Sequence, residues 1–443
     1  MKRLKRPVQI FQSAIFFQAF LYLIAFPSMA SGEIQTTPTQ LTEQEQQLVN
    51  WVGSKQAIML KDLETYVNIN TWTMNRDGLD QFRDLLDEEL QSLGFETTLK
   101  PSGEIELLSC QEKKVTFAQH LLGQRIGKSS TKVLLNGHLD TVFPKDDEFQ
   151  TMVIETDGKI KGPGVLDMKG GIVAMTYALK ALHQHGRLQN SNITVFFNTD
   201  EEVGSLGSRP YIEELAMQHD VGLVFEGSHN HKLARQRKGL GQARIKVIGR
   251  EAHAGEAHVD GVSANLELAH KVIALEALTD YEKKTTVNVG IMQGGETRNT
   301  RPGCADAFVD LRFADNHDGL ELKTQVERIA LTRYTNHSDF PALPKSEVWS
   351  VLHRPAKAIH PTTDNLIAEA MGLSTLIGEP IVGTYWAGGG TDGSLMQAKG
   401  LPTVDSLGLN GDGVHSSREW TTTKSLMART KLITVFLDRL IHQ

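Results

Sequence analysis

Hydrophobic residues recur along this chain at the two spacings that distinguish strands from helices. Residues 193–197 read Ile-Thr-Val-Phe-Phe, and this β-branched and aromatic run predicts a buried strand. Residues 132–140 and 221–226 predict further strands of the same kind. Residues 41–68 and 78–93 instead place apolar side chains at helical intervals and predict two helices. Strands that alternate with helices in this way favour an α/β fold.

The pattern changes near residue 238 and changes back near residue 350. Between these points the predicted elements follow a β-α-β-β-α order, at 243–249, 262–278, 286–292, 305–313 and 320–332. This order is typical of a small α+β domain. A chain of 443 residues is too long for one ordinary core. We therefore predict a main α/β domain in two parts, residues 40–237 and 351–443, around an inserted domain at residues 238–350.

The first 30 residues differ from the rest of the chain. Four basic residues precede an apolar run of 13 residues, Ala14–Phe26, which only Gln18 interrupts. Small residues follow at Ser28 and Ala30. This is the pattern of a secretory signal peptide, and the run is shorter than the ~20 residues that a membrane-spanning helix needs. We therefore expect residues 1–30 to be removed on export to the periplasm or the exterior, rather than kept as an anchor.

Charge and cysteine content narrow the class of protein further. Removal of the signal peptide takes away four basic residues and no acids, so the formal charge of −7 becomes −11. Neither value gives the basic footprint of a nucleic-acid-binding protein. Cys110 and Cys304 are the only cysteines, and they fall in different predicted domains. Export would permit a disulfide between them, but their separation favours two free, buried thiols.

Three of the predicted strands end in groups that bind metals. The strand at 132 ends in a histidine, the strand at 193 runs into three acids, and the strand at 221 ends in a glutamate. Adjacent carboxylates repel one another, so a folded protein neutralises such a cluster with a cation. A lone histidine or glutamate at a strand end is more often a solvated surface residue, but imidazoles and carboxylates gathered together suit two zinc ions. The candidate ligands are His138, Asp167, Glu202, Glu226 and His415.

Four ordered motifs carry a resemblance to a known family. They are His138-Leu-Asp140-Thr-Val, the loop Gly162-Pro-Gly-Val-Leu-Asp167-Met-Lys-Gly-Gly, Asp200-Glu201-Glu202-Val-Gly-Ser and Gly388-Gly-Gly-Thr-Asp392. Over residues 42–441 the chain is similar to the dizinc aminoacylase/carboxypeptidase metallopeptidase family. Ser406-Leu-Gly-Leu and Val414-His415-Ser416 look most like its folate-cleaving glutamate carboxypeptidases. The resemblance implies a mixed-sheet zinc-exopeptidase domain, of the phosphorylase/hydrolase-like α/β class, with an inserted α+β lid and dimerisation domain.

The resemblance also assigns roles to the metal-site residues. Asp167 resembles the aspartate that bridges two zinc ions, one held by His138 and Glu226 and the other by Glu202 and His415. Asp140 resembles the acid that orients the ring of His138. Glu201 resembles the general base, which takes a proton from water and returns it to the departing nitrogen. Charge alone does not separate Glu201 from Glu202, so only the family pattern distinguishes base from ligand.

Five further residues match family positions near the substrate. The motif around His253 resembles the lid histidine that reaches the active site of a partner subunit, which implies a homodimer formed through the inserted domain. Asn299 and Arg312 match lid positions near the substrate. Arg354 resembles the arginine that holds the substrate's α-carboxylate. Lys232 matches the lysine that meets a glutamate side chain if two residues are absent from its loop.

These observations predict an exported zinc-dependent exopeptidase that releases a C-terminal amino acid, plausibly glutamate, from a small peptide or N-acyl amino acid. One alternative is an N-acyl amino acid deacylase or dipeptidase of the same fold. A remote alternative is a non-catalytic exported binding protein, which should have lost ligands or base, whereas this sequence keeps the full set.

Overall fold

The apolar runs and helical patterns form strands and helices within the part of the chain that the computed structural model describes, residues 40–107, 110 and 113–442. The expected signal peptide at residues 1–30 lies outside these residues. The α-helices are α1 Glu43–Gly53, α2 Gln56–Val67, α3 Arg76–Ser92, α4 Lys169–Gln184, α5 Arg209–Ala216, α6 Ala264–Glu276, α7 Asn316–Leu331, α8 Pro361–Ile377, α9 Asp392–Ala398 and α10 Thr423–Ile441. None of the helices in this part of the chain is both long and apolar enough to cross a bilayer.

The β-strands of the described residues are mostly shorter than the helices and are more numerous. They are β1 Glu96–Lys100, β2 Glu104–Leu107, β3 Lys113–Thr116, β4 His120–Arg125, β5 Lys132–His138, β6 Val153–Ile154, β7 Lys159–Lys161, β8 Asn192–Asn198, β9 Val221–Val224, β10 Lys232–Arg237, β11 Gly239–Ile248, β12 Ala252–His253, β13 Thr286–Gly294, β14 Thr300–Arg301, β15 Cys304–Phe313, β16 Lys345–Arg354, β17 Gly383–Ala387, β18 Thr403–Val404 and β19 Trp420–Thr422.

Two predicted helix boundaries differ from the structure. The single helix expected over residues 41–68 is two helices, because α1 ends at Gly53 and the hydroxyl of Ser54 donates to the carbonyl of Trp51. Glycine and serine both favour such an interruption. The sequence also predicts a helix over residues 172–183, and the corresponding helix α4 begins earlier, at Lys169, with Gly170 and Gly171 inside its first turn. A Cβ on Gly171 would lie 2.0 Å from the carbonyl oxygen of Phe225, so only glycine allows this close packing.

A six-stranded mixed sheet forms the centre of the main domain. Its order is β1-β4-β8-β5-β9-β18, with β8, β5, β9 and β18 parallel and the first two strands antiparallel to their neighbours. Alternate side chains point to opposite faces, so Leu135 and Val195 join the core with α4 and α10, whereas Leu134 and Phe196 join the core with α5 and α9. The carboxyl ends of β5, β8 and β9 therefore meet at one edge, where polar side chains can converge.

The segment between Gly239 and Arg354 contributes a separate four-stranded antiparallel sheet, ordered β13-β15-β11-β16, which we call the lid sheet. Ala243, Ile245 and Val247 of β11 pack with α6 and α7 in a core of their own. The intervening side chains of β11, Gln242 and Arg244, lie on the opposite face. Strand β16 continues to Arg354, past the boundary expected at residue 350.

The expectation of two free thiols is wrong. Cys110 and Cys304 form a disulfide, with their Cα atoms 6.3 Å apart. Cys110 lies between β2 and β3 of the main domain, and its backbone N–H also donates to Oδ2 of Asp306 on the lid sheet at 3.2 Å. The two cysteines do belong to different sheets, but this excursion of the main domain reaches across to the start of β15. The position of the two cysteines in different predicted domains therefore did not prevent them from forming a disulfide.

Candidate metal centre

Two imidazoles converge on one carboxylate at the strand ends. His138 ends β5, and its Nε2 lies 3.1 Å from Oδ1 of Asp167, in the loop before α4. The Nε2 atom of His415 lies 3.3 Å from Oδ2 of the same carboxylate. His415 lies in the loop before β19, and its backbone has a φ of 59°. Asp167 is therefore placed between the two histidines, each facing a different oxygen, as a bridging ligand requires.

A second carboxylate accompanies each histidine. Oε1 of Glu226, after β9, lies 3.6 Å from Nε2 of His138. Oε2 of Glu202, after β8, lies 3.1 Å from Nε2 of His415. Donor atoms of His138, Asp167 and Glu202 all lie within 4.8 Å of one another, as do those of His138, Glu201 and Glu226. These two overlapping groups contain four of the five sequence-predicted ligands, and His415 adjoins them through Asp167 and Glu202.

The electrostatics of this cluster favour cations. Burial, and then the Asp167 carboxylate, raise the pKa values of Glu202 and Glu226 to about 8. Hydrogen bonds to Asp167 and Glu202 raise the pKa of His415 to about 11. Carboxylates held this close resist ionisation unless positive charge accompanies them. Mixed imidazole and carboxylate donors are the set that zinc and related divalent ions prefer. The residues present therefore fit a pair of divalent metal ions.

Asp140 holds the loop that carries the two glutamates. Its Oδ1 accepts the backbone N–H of Glu201 and its Oδ2 that of Glu202, both at 3.1 Å, and Thr73 donates its hydroxyl to Oδ2 at 2.8 Å. The ring of His138 faces Asp140 through Nδ1, which lies 3.0 Å from the backbone carbonyl oxygen and 3.5 Å from Oδ1. Asp140 thus contacts the histidine, as expected from the sequence, and in addition fixes the backbone of the acids after β8.

Sequence reasoning missed Glu419, which shapes the Asp167 loop. Its two oxygens accept backbone N–H groups of Gly164, Leu166 and Asp167 at 2.8–3.0 Å. Glu419 is fully buried, and burial followed by repulsion from Asp167 raises its pKa to about 7. The peptide bond between Asp167 and Met168 in this loop is cis. A single acid in an ordinary polar segment carries no sequence pattern that would reveal this task.

Glu201 is paired with a buried arginine. Its Oε1 lies 2.8 Å from Nη2 of Arg354, which is 1% exposed. The same guanidinium donates to the carbonyl of Gly204 and the hydroxyl of Ser205, both at 2.8 Å, and lies 3.1 Å from Oδ1 of Asp392. Burial raises the pKa of Glu201, and the positive charge of Arg354 opposes that rise. Arg354, expected to hold a substrate carboxylate, is thus engaged by the protein's own acids.

A cavity of about 490 Å³ separates this cluster from the lid sheet. Its walls include Glu201, Glu202 and His415 on one side and Arg244, Phe308 and Arg312 on the other. A smaller cavity of about 320 Å³ lies on the other side of the acids, where Tyr385 and Trp386 face Asp167 and Glu226. Cavities therefore adjoin the cluster on more than one side.

The remaining expected residues are more scattered. Arg312 lines the larger cavity, but its Nε and Nη2 donate to the carboxylate of Asp310 at 2.7 and 3.0 Å. His253 and Asn299 are exposed, near the β12–β14 pair, and Lys232 begins β10. These last three residues line neither of the two cavities around the cluster, within the residues that the structure describes.

Comparison with known proteins identifies a family for this chain. A profile of peptidase family M20/M25/M40 matches residues 134–439. Carboxypeptidase G2 of Pseudomonas sp. (strain RS-16) is 31% identical over 369 residues, covering 82% of this chain and 84% of that protein. A succinyl-diaminopimelate desuccinylase of Gluconacetobacter diazotrophicus is 27% identical over 374 residues, covering 81% and 91%.

The fold has also been seen in solved structures. The M20 family metallo-carboxypeptidase Sso-CP2 from Sulfolobus solfataricus superposes with a TM-score of 0.67 at 17% identity, covering 87% of this chain and 99% of that one. The fold class and the family expected from the sequence motifs are both confirmed. The matched profile spans more than half of the chain and contains every residue of the metal cluster. The chain therefore belongs to peptidase family M20/M25/M40, and it is a metallopeptidase of the amidohydrolase type.

Proposed function

We propose that this protein is an exported exopeptidase that uses two zinc ions to hydrolyse the amide bond to a C-terminal amino acid, with glutamate preferred. One observation carries the hydrolytic part of the proposal. The carboxylate of Asp167 lies between two histidines, each accompanied by a glutamate, and a further glutamate, Glu201, stands beside them. This arrangement supplies two sets of ligands and one acid that neither set requires.

Metal binding, proton transfer and positioning are assigned to different residues of the chain. His138 and Glu226 would hold one ion and Glu202 and His415 the other, with Asp167 shared between them. When bound, two such ions supply Lewis-acid chemistry at the scissile carbonyl. Glu201 takes a proton from the attacking water and delivers it to the nitrogen of the leaving amino acid. Arg354 fixes the orientation of the Glu201 carboxylate through the contact at 2.8 Å.

Similarity to Carboxypeptidase G2 supports release of a C-terminal residue. The preference for glutamate is supported by the resemblance of the segments at 406–409 and 414–416 to glutamate carboxypeptidases. The alternative, removal of an acyl group from an N-acyl amino acid, is favoured by the similarity to a desuccinylase. The two reactions break the same kind of bond and differ in which half of the substrate is recognised.

Two structural features support export and dimer formation. A disulfide between Cys110 and Cys304 suits an oxidising compartment, because cytosolic reductants keep most thiols reduced. The exposed ring of His253 lies outside both cavities of its own chain. A lid histidine in that position would act on the site of a second copy, as the resemblance implies. Fractionation of the cells that make the protein, with N-terminal sequencing, tests export and cleavage after Ala30.

The reaction is tested with a panel of N-benzoyl amino acids that differ only at the C-terminal residue. We expect zinc-loaded protein to release glutamate faster than alanine or leucine, and a chelator to abolish release. Metal analysis should find two divalent ions per chain. Faster release of alanine or leucine would remove the glutamate preference and leave amide hydrolysis intact. Full activity with a single tightly bound ion would contradict the dinuclear centre.

A further inference from the structure

The larger cavity contains three arginines, and they differ in what they contact. Arg354 is engaged by Glu201 and Asp392, and Arg312 is engaged by Asp310. Arg244, in the middle of β11, has no hydrogen bond or ion pair with any of the described residues, and its Nε and Nη1 atoms are shielded from solvent without a partner. Buried N–H donors are nearly always satisfied in folded proteins, so an unsatisfied pair of donors calls for an explanation.

Neighbouring strands hold this guanidinium in place. Register places Phe308 of β15 opposite Arg244 on one side and Trp349 of β16 opposite it on the other. The guanidinium carbon lies 5.4 Å from the ring centre of Phe308 and 5.1 Å from that of Trp349. Aromatic rings stabilise the guanidinium through its face but offer no acceptor for its N–H groups. The contacts thus orient the side chain and leave its hydrogen-bonding edge available.

The surroundings of Arg244 also leave its charge uncompensated. Burial lowers the pKa of this guanidinium, and no neighbouring carboxylate opposes that shift. A guanidinium nevertheless stays charged at any physiological pH. Gln242, two residues earlier on the same face of β11, also has a buried Nε2 donor without a partner among the described residues. Donors without acceptors therefore collect on the part of the lid sheet that faces the cavity.

We propose that Arg244 is a specificity-determining residue that binds a carboxylate of the substrate. A carboxylate is the best partner for a guanidinium, because it accepts two donors of one edge in one plane, either Nε with Nη2 or Nη1 with Nη2, and each of these edges of Arg244 includes one of the donors without a partner. The C-terminal glutamate of the proposed substrate offers two such groups, the α-carboxylate and the side-chain carboxylate. Arg354 contacts two acids of the protein, whereas Arg244 contacts two aromatic rings and no acid, so Arg244 can bind one of these carboxylates whether or not Arg354 binds the other. This inference rests on the proposed hydrolysis of amides.

The test compares three substrates in the wild-type protein and the Arg244→Met variant. N-benzoylglutamate carries both carboxylates, N-benzoylglutamine only the α-carboxylate, and the α-amide of N-benzoylglutamate only the side-chain carboxylate. Methionine keeps an unbranched apolar side chain close to the length of the arginine stem and removes the charged guanidinium. We expect KM to rise about 10- to 100-fold for the substrates that carry the bound carboxylate, with kcat changed less, because charged hydrogen bonds to a substrate are lost.

The pattern across the panel identifies which carboxylate is bound. A rise for the glutamate and glutamine compounds alone assigns the α-carboxylate, and a rise for the glutamate and α-amide compounds alone assigns the side chain. Arg244→Lys should restore part of the affinity. Lys246→Ala is the matched control, because it removes a cation from the same strand at a position that does not line the cavity. An equal change in KM for all three compounds, or no change, overturns the inference.

A binding measurement separates this inference from the proposed function. Glutamate, glutamine and isoglutamine can be titrated calorimetrically into zinc-loaded wild-type protein and into the Arg244→Met variant, with thermal melting to show that the variant is folded. We expect the variant to lose about 10-fold or more in affinity for the amino acids that carry the bound carboxylate. Failure to hydrolyse any benzoyl compound would remove the proposed function, whereas unchanged calorimetric affinities would remove only the role of Arg244.

Discussion

The end of β16, where the lid sheet reaches the acids of the main domain, and the middle of β11 both present an arginine to the same cavity, but the two arginines have different contacts. At the end of β16, both Nη atoms of Arg354 have acceptors and its charge is matched by two acids, and its buried Nε is the one donor without a partner among the described residues. On the lid sheet, Arg244 is held by two rings and lacks an acceptor among the described residues. A charge that the protein already satisfies positions other groups, whereas an unsatisfied charge is available to a ligand.

The difference extends to the acids. Asp140 and Glu419 each accept two or more backbone N–H groups, so the loops that carry Asp167, Glu201 and Glu202 are fixed before any ligand arrives. Such preorganisation lowers the cost of placing charged groups for catalysis. The lid sheet instead shapes the space opposite the cluster. We therefore expect substitutions in the metal cluster and at Arg354 to act on turnover or metal content, and substitution of Arg244 on the inner face of the lid sheet to act on substrate choice.

The largest effects should come from the two glutamates after β8. Glu201→Gln should keep both metal ions and lower kcat by about 10²- to 10⁴-fold, because a general acid–base group is lost. Glu202→Gln should instead release one ion, and Asp167→Ala should release both, since a shared carboxylate serves each. Metal content and kcat measured on the same preparations distinguish these outcomes. Loss of metal in Glu201→Gln with retention in Glu202→Gln would reverse the two roles.

His253 provides the next largest effect, and it tests whether the lid acts only on substrate choice. If it donates a hydrogen bond to the developing oxyanion in a partner's site, His253→Ala should lower kcat by about 10²- to 10³-fold. Mixing His253→Ala chains with Glu201→Gln chains should then recover activity, because one hybrid site has both groups intact. Subunit exchange is verified with differently tagged chains. No recovery in an exchanging mixture would place His253 outside the partner's site.

Arg354 gives the sharpest contrast with Arg244. As the positioning partner of Glu201, Arg354→Met should lower kcat by about 10²-fold, the scale expected when a catalytic group is misplaced, with little change in KM. Arg354→Lys should recover part of kcat through a retained charge. The readout is the division of the effect between kcat and KM on N-benzoylglutamate. A rise in KM with kcat unchanged would show instead that Arg354 contacts the substrate, as its sequence context suggests.

The smallest expected effect on turnover concerns the covalent link between the two regions. Replacing both Cys110 and Cys304 by serine should lower the free energy of unfolding by about 2–4 kcal/mol, the usual range for a lost disulfide. Denaturant titrations with and without reductant measure this change. Because the chain has only these two cysteines, reductant should destabilise the wild-type protein and leave the double variant unaffected. Equal stability of the oxidised wild-type and the variant would argue against the link.

The sequence by itself determined the ligand types and the family. Buried strands are readable because β-branched and aromatic residues cluster in them, and His138, Glu202 and Glu226 directly follow such runs. Parallel strands bring their carboxyl ends to one edge, so a donor set distributed over the chain could be predicted as one cluster. Glycines around Asp167 marked a loop of close approach, which the contact between Gly171 and Phe225 explains.

Only the tertiary structure decided which charged side chains form ion pairs and hydrogen bonds with one another. Arg354 had a sequence context typical of a substrate-binding residue, yet its chain position brings it between Glu201 and Asp392. Glu419 and the Cys110–Cys304 disulfide connect segments that are distant in sequence, and no local pattern announces such pairs. The surroundings of Arg244 depend on strand register, because the residues opposite it on the two neighbouring strands are both aromatic and neither is an acid. Periodicity encodes local structure, whereas the balance of charge depends on which chain segments meet in space.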